Sequence, residues 1–89
     1  MTTEDASPLK FPCAFPIKVA GVHSDDFVAR IVGAVRRFDA GFDESTVEVR
    51  PSRRGKYLGV TVTITAVSRE QLDDVYRALT ALPDVRFVI

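Results

Sequence analysis

Hydrophobic and polar residues alternate strictly along the ten residues from Tyr57 to Ala66. A period of two over this length predicts a half-buried β-strand, because successive side chains of a strand project from opposite faces of the sheet. We expect this strand near the middle of a sheet, with the other elements packed around it. The apolar face consists of Leu58, Val60, Val62, Ile64 and Ala66, and the wetter face of Tyr57, Thr61, Thr63 and Thr65.

Two other segments show the three- and four-residue spacing of amphipathic helices. The first follows Ser24-Asp25-Asp26, in which we expect Ser24 to cap the helix, and is broken at residues 39–41. The second follows the capping box Ser68-Arg69-Glu70-Gln71 and ends at Pro83. The apolar stripes are Phe27, Val28, Ile31, Val32, Val35 and Phe38 in the first helix and Leu72, Val75, Tyr76, Leu79 and Leu82 in the second.

Shorter alternating segments predict three further strands, at residues 16–22, 46–50 and 85–89. The segment before the first strand contains two prolines, so we expect an extended lead-in that lays Phe11 and Phe15 against the core. Pro51 places the second strand at a sheet edge. A turn over residues 51–56, with Gly55 available for a positive φ, joins the second and third strands as a hairpin.

The predicted order of elements is therefore βαββαβ. Two helices with one apolar stripe each can cover only one face of a four-stranded sheet. We expect an α+β, ferredoxin-like two-layer sandwich with an antiparallel sheet of strand order 4-1-3-2. The opposite face is either solvated or a dimer surface, and we expect it to carry Lys18, Tyr57, Thr61, Thr63, Thr65 and Arg86.

Composition limits the compartment and the partners. The 89 residues are 46% hydrophobic and 27% charged, as in a globular domain, and we expect a flexible tail over residues 1–8 and a single domain over residues 9–89. Twelve basic and twelve acidic residues cancel, which disfavours non-specific binding to nucleic acid or membrane. A single cysteine, no signal peptide and no long apolar run predict a cytoplasmic protein outside the membrane.

The basic hairpin turn is the one suggestive cluster of side chains. Its candidate site residues are Arg50, Arg53, Arg54, Lys56 and Tyr57. Guanidinium groups and turn N–H groups could bind a carboxylate or a phosphate. The alternative is a solvated loop whose charges protect a sheet edge from aggregation. RNA binding would need aromatic side chains for stacking on the open face, where only Tyr57 is expected, so nucleic acid is the weaker alternative.

No catalytic or metal site is predicted, and no cofactor. His23 is the only histidine and lacks the further ligands of a zinc site, so we expect it at the surface near the helix cap. Cys13 lies between prolines and aromatics as a small packed or partly exposed thiol. The adjacent Asp73 and Asp74 do not face one another. These residues give no positive case for an enzyme.

Three stretches of the chain form a recognisable combination: Leu9-Lys10-Phe11-Pro12 with Phe15-Pro16 and Lys18-Val19-Ala20-Gly21, the turn Pro51-Ser52-Arg53-Arg54-Gly55-Lys56-Tyr57 with its strand, and the final Asp84-Val85-Arg86-Phe87-Val88-Ile89. Together they resemble the YbeD-like family of small bacterial proteins. The resemblance implies a βαββαβ fold similar to regulatory domains of the ACT type. The family carries a lipoate-related regulatory label without an assigned site, and no catalytic residues carry over. Arg53-Arg54 makes this turn more basic than the usual pattern.

These observations predict a non-catalytic regulatory or protein-interaction module. It would bind an unknown protein partner or a small anionic metabolite, or pair with itself as a homodimer through the open sheet face or an edge strand. An RNA-binding domain is the alternative, and an enzyme is the least supported function.

Overall fold

The computed structural model describes residues 10–89, so the predicted tail at residues 1–8 lies outside the described residues. Its elements follow the predicted order βαββαβ, with one additional short 3-10 helix. They are β1 (Cys13–Val22), α1 (Phe27–Arg36), the 3-10 helix (Glu44–Thr46), β2 (Glu48–Pro51), β3 (Tyr57–Ala66), α2 (Arg69–Thr80) and β4 (Val85–Val88). The sheet has the order β2-β3-β1-β4, all neighbours antiparallel, which confirms the predicted ferredoxin-like topology.

Strand β3 lies in the interior of the sheet, and its alternation decides which face is covered. Its five predicted apolar residues are all buried beneath the two helices, whereas Thr61 and Thr63 are half-buried and Thr65 is exposed. β1 contributes Ile17 and Val19 to the same core. The helices bury Phe27, Ile31, Val32, Ala34 and Val35 from α1 and Leu72, Val75 and Leu79 from α2.

One proline lies on the edge strand β2, and another lies on the part of β1 that β4 does not cover. The Lys18 N–H donates toward β4, to Ile89, so the Pro16 nitrogen two residues earlier faces the same side, where residues 10–89 provide no paired strand. This lets β1 begin at Cys13, earlier than the predicted residue 16. On β2 the Ser52 N–H donates inward to Tyr57, so the Pro51 nitrogen faces outward.

The start of α1 differs from the sequence prediction. Ser24 does not cap the helix: Asp26 occupies the cap position, without a side-chain cap hydrogen bond. The Ser24 hydroxyl instead lies 3.3 Å from a carboxylate oxygen of Asp26 and 3.3 Å from one of Asp84. Arg30 joins both carboxylates, at 3.0 and 3.5 Å. The Ser24 hydroxyl therefore links the β1–α1 connection to Asp84, the residue immediately before β4.

The start of α2 has the predicted serine cap, whereas the Gln71 side chain of the predicted capping box accepts the N–H of Val67, one residue before the cap. The Ser68 hydroxyl accepts the Gln71 N–H at 3.0 Å, as expected of the cap. The Gln71 side chain accepts the Val67 N–H at 2.7 Å, and its amide nitrogen donates to the carbonyls of Phe38 and Thr65. One side chain thus joins the residues after α1, the end of β3 and the start of α2.

The last strand does not follow simple alternation. Ala20 pairs with Phe87 but Gly21 pairs with Val85, so one extra residue, Arg86, is accommodated as a β-bulge. Because of the bulge, both Val85 and Val88 pack against the core. Phe87, paired with the outward-facing Ala20, is placed on the open face, where the sequence had predicted only Arg86 from this strand.

The open sheet face and the basic turn

Serine and glycine build the basic turn. The Ser52 carbonyl accepts the Gly55 N–H at 2.9 Å, and the Ser52 hydroxyl accepts the Tyr57 N–H at 3.0 Å. Gly55 has a φ of 75°, a conformation that other residues rarely adopt, as predicted. The Pro-Ser-x-x-Gly-x-Tyr pattern therefore has a structural reason. Since two of the turn's N–H groups already donate to Ser52, anion binding here would depend mainly on side chains.

His23 fastens this turn to the β1–α1 connection. Its Nδ1 lies 2.9 Å from the Gly55 carbonyl oxygen, which can only accept, so Nδ1 is the donor. The His23 backbone N–H also donates to the Lys56 carbonyl at 2.9 Å. His23 is exposed, as predicted, but its attachment to the turn had no signal in the sequence.

The five predicted site residues are distributed over several features of the surface. Arg50 lines a polar depression on the sheet, and Tyr57 lines a different, apolar one. The Lys56 ammonium lies 5.5 Å from the centre of the Tyr57 ring, within range of a cation–π interaction. Arg53 and Arg54 are exposed at the turn and line neither depression. Whether any of them binds a ligand stays a prediction.

Strand register arranges the open face, the side of the sheet opposite the helices, into rows that run across the strands. Residues paired across a ladder project to the same side. One row is Glu48, Thr61, Lys18 and Ile89, and the adjacent row is Arg50, Gly59, Ala20 and Phe87. Each row thus begins with a charge on β2 and ends with a large apolar side chain at β4.

The charged ends of these rows border a depression of about 600 Å³. Its charged and hydroxyl-bearing lining residues are Lys18, Glu48, Arg50 and Thr61. Cations and a carboxylate therefore share one wall of the open face. Within residues 10–89, the ion pairs that the structure forms involve Arg30, Arg36 and Arg77, and none involves the cations of this depression.

Large apolar side chains on this face are exposed. Phe87 and Ile89, at the ends of the two rows, are 54% and 65% exposed, and Tyr57, beyond the second row, is 43% exposed. Phe87 and Tyr57 border a second depression of about 320 Å³, together with Ala20, Gly21 and Arg86. Sequence reasoning missed Phe87, Ile89 and Glu48 as face residues. The run Val85-Arg86-Phe87-Val88-Ile89 contains only one polar residue, so its alternation alone could not reveal the bulge.

Hydrogen bonds from the Ser45 hydroxyl and then the Ser45 N–H lower the pKa of the Asp43 carboxyl, which lies at the start of the short 3-10 helix. Throughout residues 10–89, no group of three or more His, Cys, Asp or Glu side chains could hold a metal ion. In the same part of the chain no helix has the length and apolar character needed to cross a membrane.

Comparison with known proteins decides the family. Residues 6–89 match the family described as "Protein of unknown function (DUF493)". A UPF0250 protein of Paraburkholderia phymatum is 53% identical over 89 residues, covering 100% of both chains. The chain belongs to the DUF493/UPF0250 family. A UPF0250 protein of Bordetella pertussis is 47% identical over 85 residues, which cover 96% of this chain and 93% of the relative. The YbeD-like resemblance is confirmed.

Two solved structures share the fold of this DUF493/UPF0250 chain. The solution structure of protein HP0495 from H. pylori superposes with a TM-score of 0.72 at 15% identity, covering 100% of this chain and 94% of the other. The ACT domain from GTP pyrophosphokinase of Chlorobium tepidum gives a TM-score of 0.68 at 16% identity, covering 86% and 97%. At these identities the likeness concerns the fold alone. It confirms the expected ACT-like architecture.

Proposed function

We propose that this DUF493/UPF0250 chain is a non-catalytic, cytoplasmic interaction module that docks a protein partner on the open face of its sheet. The observation that carries the proposal is the exposure of Phe87, Ile89 and Tyr57 on that face, beside a wall with charges of both signs. Exposed aromatic and aliphatic groups with a charged rim are typical of protein interfaces. A regulatory role would then consist of changing the activity of the protein that is bound.

The sheet face fits this role better than the sheet edges. Adding a strand to an edge requires outward N–H groups in register. Pro51 removes one such group from the edge of β2, and Pro16 removes one from the exposed side of β1. Prolines at these positions hinder strand addition at β2 and at the uncovered part of β1, and the remaining edge, β4, is only four residues long. Of the two association modes that the sequence left open, we therefore favour association through the face.

Site-specific photo-cross-linking tests the proposal. A photoreactive residue is introduced at Phe87 on the face, and in a matched control at Asp73, which is exposed on α2. In native cells we expect position 87 to form cross-links to one defined protein species, and position 73 to form none of them. Phe87→Ser combined with a probe at Ile89 should abolish the same product. Equal cross-linking from both positions would contradict docking on the face.

Single-stranded RNA is a second candidate for the ligand of this face. The sequence predicted Tyr57 as the only aromatic side chain there, and the structure adds Phe87. The two rings border the same depression, with Arg86 beside them. Stacking of bases on such rings typically contributes about 1–3 kcal/mol per base. A mobility-shift assay at physiological salt tests this candidate. Binding that is lost in both Phe87→Ser and Tyr57→Ser would support RNA, and no shift with the wild-type chain would eliminate it.

A further inference from the structure

We propose that the partner on the open face is a second copy of this chain, related by a two-fold axis that lies between the sheets and perpendicular to the strands. The inference rests on the proposed function, and it follows from the two rows described above. An axis midway between the rows places each row of one copy over the adjacent row of the other. Face-to-face sheets pack about 10 Å apart, at an angle near −30°.

This arrangement makes the face complementary to itself. Glu48 of one copy lies opposite Arg50 of the second copy, and Ile89 opposite Phe87 of the second copy. Lys18 lies over Ala20 of the second copy, whose small side chain leaves room for the aliphatic stem of the lysine. The two-fold axis repeats each pair, giving two Glu48–Arg50 pairs and two Ile89–Phe87 contacts per dimer.

The same axis also gives compatible contacts between the rows on either side of these two. Tyr57 and Val22 form the row beyond Arg50, and Thr63 and Pro16 form the row beyond Glu48. The axis places Tyr57 over Thr63 of the second copy and Val22 over Pro16 of the second copy. An axis parallel to the strands would instead place Glu48 against Ile89 of the second copy and Arg50 against Phe87 of the second copy, so that neither charge would lie opposite a charge of the other sign. The perpendicular axis is therefore the favoured one.

The area of the face suits a reversible dimer. The two ten-residue strands are each about 33 Å long, and the two four-residue strands about 13 Å. With strands about 4.8 Å apart, the face covers roughly 450 Å² in projection, before side-chain relief is added. Stable interfaces bury about 800 Å² per partner. We therefore expect a weak dimer with an interface smaller than that of a stable complex, and a dissociation constant in the micromolar range or above.

Charge reversal tests the dimer and its geometry together. Glu48→Arg and Arg50→Glu each place like charges opposite one another, twice per dimer, so each should weaken dimerisation about tenfold or more in sedimentation equilibrium. The double variant restores opposite charges and should dimerise within about threefold of wild type. Asp73→Arg on α2 is the matched control and should leave the dissociation constant unchanged. Circular dichroism checks that each variant is folded.

A sample mixed from isotope-labelled and unlabelled chains supplies a direct readout. Filtered NMR experiments should show contacts between the Phe87 ring and Ile89 methyl groups of different copies. A chain that stays monomeric at millimolar concentration overturns the dimer, while cross-links from position 87 to another protein would still support the proposed function. A dimer that tolerates both single reversals, or that the double variant fails to restore, overturns this geometry.

Discussion

Gly21 is the residue at which the smallest side-chain addition should do most harm. A Cβ atom there would overlap the Asp84 carbonyl oxygen and lie 2.7 Å from Cζ of Phe27. Neither neighbour can move cheaply. The Asp84 carbonyl accepts the Val22 N–H at 2.9 Å, and the Phe27 ring is 1% exposed within the core. We therefore expect Gly21→Ala to push the start of β4 away from β1.

The magnitude follows from these two effects. Overpacking a close-packed site costs about 1–3 kcal/mol. Losing the hydrogen bond between Val22 and Asp84 adds about 0.5–1.5 kcal/mol. Gly21→Ala should therefore lower the free energy of unfolding by about 2–4 kcal/mol. At about 4–8 °C per kcal/mol for a domain of this size, Tm should fall by at least about 8 °C.

Gly33→Ala supplies a control of opposite sign. Gly33 is an exposed residue inside α1, and an added Cβ atom would meet nothing within 4 Å. Alanine favours the helix over glycine by about 0.5–1 kcal/mol, so this variant should be more stable than wild type. Urea unfolding followed by far-UV circular dichroism measures both variants. A Gly21→Ala protein as stable as wild type, or a Gly33→Ala protein less stable than Gly21→Ala, would refute the packing described here.

Three further predictions concern other parts of the chain. Ser68→Ala removes the side-chain cap of α2 and should cost about 1 kcal/mol in urea unfolding; no loss would mean that the cap bond is not formed in solution. The pKa of Asp43 is lowered by the hydroxyl and N–H of Ser45, so its stabilising effect is complete above the ordinary Asp pKa of 3.8 and is lost as the pH falls through the lowered value. An NMR titration of the Asp43 carboxyl should give a pKa below 3.8 in wild type and one nearer 3.8 in Ser45→Ala. If the basic turn binds small anions, calorimetric titration with carboxylates and phosphates should give heats that Arg53→Ala with Arg54→Ala abolishes, and unchanged heats would dismiss the site.

The fold was predictable because each level of sequence pattern pointed to the same structure. The alternation of β3 fixed which face is covered, and one apolar stripe per helix limited the fold to two layers. Pro51 identified an edge strand, and Gly55 identified the residue of positive φ. All of these signals are local in sequence. The order of the elements, with one apolar stripe per helix, was enough to predict the topology without knowledge of contacts between distant residues.

The docking face was less predictable because it depends on pairing between strands distant in sequence. Alternation assigns a side chain to a face only while the ladder stays regular, and the bulge at Arg86 changes the phase of β4. Phe87 therefore lies on the open face, for which the sequence pattern had predicted mainly polar side chains. Ser24 was assigned to a cap for a similar reason: its bonding to Asp84, 60 residues away, has no local signature.

The contacts of Gln71 bear on how the molecule opens. Its side chain accepts one backbone N–H, from Val67, and donates to the carbonyls of Phe38 and Thr65. If the Gln71 side chain moves away, the N–H of Val67 and the carbonyls of Phe38 and Thr65 lose their hydrogen bonds at the same time. The rate of hydrogen exchange at the Val67 amide should consequently report how often α2 detaches from the sheet. This one amide would therefore measure the cooperative separation of the two layers.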